Sequence, residues 1–192
     1  RLLLLFAVVF YGVDALTQQR TQHWRLYADW ELAIPYWPAM FPLYFSVVVL
    51  PCSVGWRIHD AAAVRTWERR MAAAVVGAGL VFLLLPAQLG YAPVDAGAWQ
   101  VWARLAHLVA GRHNLLPSLH VALSAVTLAT LWPGAGRGLR AALALWFVLL
   151  VASVLLTHQH HVADVLAGWL LAAAVLRVVT GEQQAGLIRR VS

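Results

Sequence analysis

The chain has little charge, no lysine and one cysteine. Of its 192 residues, 11% are charged and 62% are hydrophobic, and all 14 basic residues are arginines. Because an ordinary soluble domain has about 25% charged residues, this composition excludes a typical soluble protein and indicates an integral membrane protein. The single cysteine, Cys52, excludes an internal disulfide and carries no information about the cellular compartment.

Other absences narrow the function. The sequence has neither H-E-x-x-H nor G-x-S-x-G, so nothing supports an intramembrane protease. The net charge of +6 suits nucleic-acid binding, but the arginines lie between apolar runs, where such residues set topology and face anionic lipid. We therefore expect membrane lipids, and no nucleic acid, as partners. Because the chain begins with Arg1 and its first apolar run is short, we expect a trimmed or partly ordered N-terminus rather than a cleaved signal peptide.

The main feature that the sequence does have is a series of long apolar runs. They cover residues 2–16, 32–54, 71–91, 115–132, 139–156 and 162–180. A spanning helix needs about 20 mainly apolar residues, so the runs predict an all-α polytopic bundle of about six transmembrane helices. The runs use the whole chain, and we expect residues 1–192 to form a single domain.

The stretch 92–114, ahead of the fourth run, predicts a helix of a different kind. Trp102, Leu105 and Val109 recur at helical spacing, whereas Arg104 and His107 lie off that stripe. This pattern predicts an amphipathic helix in the outer membrane interface. Two roles remain open for it: covering a site beneath it, or closing the bundle.

The distribution of arginines predicts the orientation. Six spans place both termini on one side of the membrane. The arginines on that side are Arg1, Arg57, Arg65, Arg69, Arg70, Arg137, Arg140, Arg177, Arg189 and Arg190, and those on the other side are Arg20, Arg25, Arg104 and Arg112. Since cytoplasmic loops are enriched in basic residues, we expect cytoplasmic termini, in a bacterial inner membrane.

Two short segments at the predicted outer ends of spans carry the candidate chemistry. His160 and Asp164 are four residues apart, so on one helical face the carboxylate can accept a hydrogen bond from one imidazole nitrogen and leave the other free as a nucleophile. His120 follows Pro117-Ser118 at the start of a span, where free backbone N–H groups attract anions. A nucleophile, an orienting carboxylate, a proton donor and a helix N-terminus are the parts that phosphoryl transfer needs.

These segments resemble motifs of the type 2 phosphatidic acid phosphatase superfamily. Pro117-Ser118-Leu119-His120 is similar to its P-S-G-H segment, His160 to Asp164 to its H-x-x-x-D, and Ser153 to the serine that opens that last motif. The resemblance implies that His160 forms a phosphohistidine, that Asp164 orients it and that His120 protonates the departing alcohol. It also implies an enzyme without metal or cofactor.

The sequence departs from the family pattern where the family binds phosphate. Leu119 replaces the usual glycine, Val154 stands in place of an arginine, and residues 86–93 hold no cation where a K-x-x-x-x-x-x-R-P motif is expected. In these respects the chain looks more like the branch that includes inositol phosphorylceramide and sphingomyelin synthases. The candidate phosphate-binding residues are Arg112, Ser118, His158, Asn114 and Arg104. We favour Arg112 because it lies just before the Pro-Ser pair.

The main hypothesis is a metal-independent phosphatase that cleaves a phosphomonoester or diphosphate of a lipid at the outer face. The alternative is a phosphotransferase that passes the phospho group to another alcohol. A remote alternative is a haem-b protein with His120 and either His160 or His161 as axial ligands. A zinc site from the histidines of residues 158–161 is disfavoured, because neighbouring side chains diverge on a helix.

Overall fold

The computed structural model describes residues 1–191, with side chains described for residues 1–179. Within this part the fold is all-helical, as predicted, and contains no strand beyond an isolated bridge between Trp24 and Ala87. The helices are α1 (Leu2–Thr17), α2 (Phe41–Phe45), α3 (Val49–Arg57), α4 (Ala61–Leu84), α5 (Gln100–Val109), α6 (Leu119–Leu131), α7 (Arg137–Leu156) and α8 (Val162–Val191). Short 3-10 turns cover Asp29–Ala33, Pro38–Met40, Ser46–Val48 and Gly97–Trp99.

Three helical segments of the described chain are long and apolar enough to cross a membrane. They are Pro38–Arg57, Arg137–Leu156 and Val162–Val179. The first joins α2 and α3 through the turn at Ser46–Val48. Helices α1 and α6 are also apolar but shorter. The chain is therefore compatible with the membrane protein that its composition indicates.

Three helix boundaries described here differ from the sequence prediction. The apolar run 32–54 becomes helical only at Pro38, which suits a first turn because it has no N–H to leave unpaired. Helix α4 begins ten residues before the predicted start, since the Asp60 carboxylate caps it by accepting the N–H groups of Ala62 and Ala63 at 3.0 and 3.1 Å. It ends at Leu84, ahead of Pro86. Basic residues that we expected in a loop therefore lie on α4.

A close crossing of α6 and α8 positions the candidate site. A Cβ atom added at Gly168 would lie 2.6 Å from the Ser118 carbonyl oxygen and 3.1 Å from the Val121 Cβ, so only glycine fits there. Helix α4 packs against both of these helices, and α1 packs against α4. The starts of α6 and α8 thus come together at one end of the bundle.

Helix α5 occupies the stretch where the amphipathic helix was predicted. Its buried residues are Ala103 and Ala106. The Trp102 ring also packs against the bundle, 5.6 Å from the Phe45 ring. Val101 and Leu108, which lie off the predicted stripe, are 68% and 77% exposed. The contact with the bundle therefore involves small side chains and part of the predicted stripe.

Candidate functional site

The turn between α7 and α8 has the hydrogen bonds of a Schellman motif. The His158 N–H donates to the Leu155 carbonyl at 3.0 Å, and the Gln159 N–H donates to the Val154 carbonyl at 3.1 Å. His158 has a φ of +56°, a left-handed conformation that costs a non-glycine residue about 1–2 kcal/mol. The Val154 carbonyl also accepts the His160 N–H at 3.1 Å. The end of α7 therefore fixes the backbone of His160.

His160 and Asp164 meet as their spacing predicted. The His160 Nδ1 lies 3.4 Å from the Asp164 Oδ2, somewhat beyond the usual hydrogen-bond range of about 2.7–3.2 Å, and both residues are buried. The same oxygen accepts the His161 N–H at 2.8 Å. Because Asp164 is the third residue of α8, this is the reach-back bond of a capping box. The carboxylate thus closes the helix start and faces the imidazole.

His120 lies beside His160. Their ring centroids are 5.7 Å apart with an interplanar angle of 66°. The His120 ring also stacks on Tyr44 at 4.2 Å. Two segments 40 residues apart in sequence therefore place two imidazoles at one end of the bundle.

Ser118 begins α6 next to this pair. Its N–H donates to the Asp164 carbonyl at 2.9 Å. Its side chain is fully buried, and its hydroxyl has no hydrogen-bond partner within the described chain. Such a group is available to an oxygen of a bound molecule.

The other predicted phosphate ligands lie elsewhere or are engaged. Arg104 and Arg112 are exposed, and among described residues neither makes a hydrogen bond or ion pair. Asn114 is buried and donates to the Phe10 carbonyl at 2.7 Å. His158 donates from Nε2 to the Ile34 carbonyl at 2.9 Å. Of the five candidates, Ser118 and His158 lie in the segments that hold the two imidazoles.

Glu31 also belongs to the site, although no motif in the sequence includes it. Its side chain is buried, and its Oε2 accepts the N–H of Val162, the first residue of α8, at 2.6 Å. The same oxygen is 3.4 Å from the His161 Nδ1, while Oε1 accepts the Ala28 N–H at 2.9 Å. The sequence did mark this residue, because an acidic side chain directly ahead of an apolar run is a candidate functional group.

Aromatic rings enclose His161. The ring stacks between Tyr27 and Tyr91, with centroids at 4.3 and 4.4 Å, and the far face of Tyr91 stacks on His158 at 3.9 Å. The His161 Nε2 accepts the Gly90 N–H at 3.2 Å, which leaves the ring proton on Nδ1, facing Glu31. A Cβ at position 90 would overlap the Tyr27 ring, so a side chain there would displace that ring from the stack.

Burial sets the protonation of this stack. Desolvation lowers the pKa of His161, although the negative charges of Asp164 and Glu31 act in the opposite direction. Burial, with a smaller contribution from the same two carboxylates, raises the pKa of Tyr91 to about 12. The His161 and Tyr91 rings are therefore neutral at neutral pH.

His113, a further donor near Arg112, belongs to a separate polar cluster at the end of α1. Its N–H donates to the Asp14 Oδ1 at 3.3 Å, its Nδ1 lies 3.0 Å from the Ala87 carbonyl oxygen, and its ring stacks on His23 at 3.5 Å. These contacts hold the loop after α4 against α1.

No protein-family model, no curated protein and no solved structure matches this chain. The residues of the site and their geometry therefore carry the functional interpretation.

Proposed function

We propose that the chain is a membrane enzyme that removes phosphate from a lipid phosphomonoester or diphosphate through a phosphohistidine on His160. The observation that carries this proposal is the meeting of His120 with the His160–Asp164 pair, at 5.7 Å between rings and 3.4 Å between Nδ1 and Oδ2. Together with the resemblance of both segments to lipid phosphatase motifs, this geometry supports a nucleophile, its orienting carboxylate and a proton donor.

The reaction has two displacements. Asp164 holds the proton on the His160 Nδ1, so Nε2 attacks phosphorus while the P–O bond to the lipid breaks and His120 gives its proton to the departing oxygen. Water then attacks the phosphohistidine, His120 takes the proton from that water, and the bond from phosphorus to Nε2 breaks to release phosphate. Ser118 and the free N–H groups at the start of α6 stabilise the phosphate oxygens.

The proposed setting is the outer face of a bacterial inner membrane. Six spans would comprise α1, the Pro38–Arg57 segment, α4, α6, α7 and α8, with both termini in the cytoplasm. The starts of α6 and α8 then lie outward, at the depth of a lipid headgroup. Helix α5 would lie in the outer interface, with exposed Val101 and Leu108 toward lipid.

The burial of His160 and Asp164 supports a second candidate. A phosphohistidine in a site with little access to bulk water is better suited to transfer to an alcohol bound beside it. The enzyme would then be a lipid phosphotransferase with the same first displacement, differing only in the acceptor.

The experiment that tests the proposal is phosphate release from a panel of lipid phosphates by the detergent-purified protein in EDTA, repeated with added alcohol acceptors. The proposal expects His160-dependent turnover in chelator, as free phosphate or as phosphorylated alcohol. Turnover that is lost in EDTA and restored by Mg²⁺ or Zn²⁺, or that survives His160→Ala, would overturn it.

A further inference from the structure

We infer that Glu31 is a positioning residue for the turn that carries His160. Residues 28–37, here called the docking segment, run along the turn between α7 and α8 and make polar contacts with it. For its effect on turnover, this inference rests on the proposed function. Its structural part can be tested separately.

The docking segment contacts the turn along its length. The Trp37 N–H donates to the carbonyl of Leu156, the last residue of α7, at 2.7 Å. The Ile34 carbonyl accepts a hydrogen bond from the His158 Nε2 at 2.9 Å. Glu31 accepts the Val162 N–H at 2.6 Å and lies 3.4 Å from the His161 Nδ1. The contacts therefore begin at the end of α7 and finish at the start of α8.

Glu31 and Asp164 each accept one backbone N–H group at the start of α8. Asp164 accepts the His161 N–H at 2.8 Å, and Glu31 accepts the next N–H, that of Val162. The first N–H groups of a helix have no partner within the helix, and a carboxylate there also meets the positive end of the helix dipole. Each carboxylate thus satisfies one N–H of the helix start and faces one imidazole.

This division keeps Asp164 in place for His160. The Asp164 Oδ2 serves both the His161 N–H and the His160 Nδ1. If Glu31 is removed, the Val162 N–H loses its acceptor and the His161 Nδ1 loses the carboxylate oxygen that lies 3.4 Å away, and Asp164 is the remaining carboxylate of the turn. We expect Asp164 to shift toward those groups and away from His160.

Charge as well as geometry is involved. The groups that face the His161 ring are Glu31, Asp164, His160, Tyr27 and Tyr91. Glu31 favours the protonated form of His161, because a nearby negative charge stabilises an imidazolium. Removing that charge should lower the pKa of His161 further, which the ¹⁵N shifts of its ring report as a function of pH. A residue that only filled space would leave this titration where it is.

The test compares Glu31→Gln and Glu31→Ala with Asp29→Asn. Asp29 lies in the same 3-10 turn, but its carboxylate is exposed and pairs with Arg25, so Asp29→Asn is the matched control. For Glu31→Ala we expect a fall in kcat of about 100-fold with KM changed by less than about twofold, because misplacing a reacting group lowers kcat without weakening binding. Glu31→Gln keeps an oxygen for the Val162 N–H, so its kcat should fall about tenfold. Glu31→Gln should also lower the pKa of His161.

Structural readouts separate this inference from the proposed function. In ¹⁵N spectra of the wild-type protein in detergent, His161 should carry its proton on Nδ1, and the Val162 amide should exchange at least about tenfold faster in Glu31→Ala than in wild type or Asp29→Asn. Absence of His160-dependent turnover in the wild type would contradict the proposed function and leave these two readouts to decide the inference. If Glu31→Ala does not fold, the nearly isosteric Glu31→Gln still reports on kcat and on the His161 titration. Wild-type kcat, with the His161 titration and the Val162 exchange both unchanged in the Glu31 variants, would overturn the inference.

Discussion

The backbone N–H of Ser118 donates to the backbone carbonyl of Asp164 at 2.9 Å. This bond joins the residue that begins α6 to a residue in the first turn of α8, so the two halves of the candidate site are held by main chain rather than by side chains alone. Main-chain attachment at this point requires the two helices to approach closely, which Gly168 permits.

Gly168→Ala should therefore destabilise the protein. Its methyl group would meet the Ser118 carbonyl oxygen, a backbone atom that cannot move aside, and overpacking of this kind costs about 1–3 kcal/mol of unfolding free energy. Thermal unfolding in detergent measures the effect. Gly138→Ala is the control, because that position on α7 has open space around it. Equal midpoints for the two variants would show that the crossing is not tight.

Ser118→Ala should weaken substrate binding without affecting folding. The hydroxyl makes no cap hydrogen bond and has no partner in the described part of the chain, so its loss removes nothing from the free protein. A hydrogen bond to a charged phosphate is worth about 1.5–3 kcal/mol, so KM should rise at least about tenfold. The control is Ser124→Ala on the same helix, whose buried hydroxyl also lacks a partner. A rise in KM for both variants, or for neither, would argue against a phosphate contact at Ser118.

The stability of the turn should depend on pH in the acid range. Burial lowers the pKa of both His158 and His161 below the ordinary value of 6.5. The unfolded chain then binds more protons than the folded protein, so stability should fall as the pH drops below about 6.5. The thermal midpoint should decrease between pH 7.5 and 5.5. The decrease should be smaller in His161→Phe, which keeps an aromatic ring between Tyr27 and Tyr91 but cannot titrate. If the thermal midpoint decreases as much in His161→Phe as in the wild type, His161 does not contribute to the pH dependence of stability.

His120→Ala should discriminate between leaving groups. A general acid contributes about 10²–10⁴-fold when the leaving oxygen needs a proton. The loss of activity in His120→Ala should therefore be large for a lipid alkyl phosphate and much smaller for an activated aryl phosphate. Asp164→Asn should be intermediate and similar for both substrates, because the carboxylate acts through His160. Equal losses for His120→Ala on both substrates would assign His120 a different role.

Local patterns could predict part of this architecture. The helical class follows from the apolar runs, and the meeting of His160 and Asp164 follows from a spacing of four residues. The predicted start of α4 was wrong by ten residues, because hydropathy alone does not register the cap at Asp60. Arg112 was favoured on sequence proximity to Ser118, yet its side chain is exposed.

The partner of Glu31 could not be predicted in this way. Its contact with Val162 joins residues 131 positions apart, and no periodicity connects them. The Tyr27, His161 and Tyr91 stack has the same character, since it brings together a loop before the first long span, the turn after α7 and the loop after α4. Such contacts depend on how the helices pack, which apolar runs alone do not specify.

The most direct test of the account is to trap the covalent intermediate. Wild-type protein incubated briefly with a ³²P-labelled lipid phosphate and quenched in base should retain label on the protein, and the label should be released by acid, as expected for a phosphohistidine. His160→Ala should retain none, while His120→Ala, which keeps the nucleophile, should still be labelled at a reduced rate. A base-stable, acid-labile phosphoenzyme in His160→Ala, or turnover without any labelled protein in the wild type, would contradict the account.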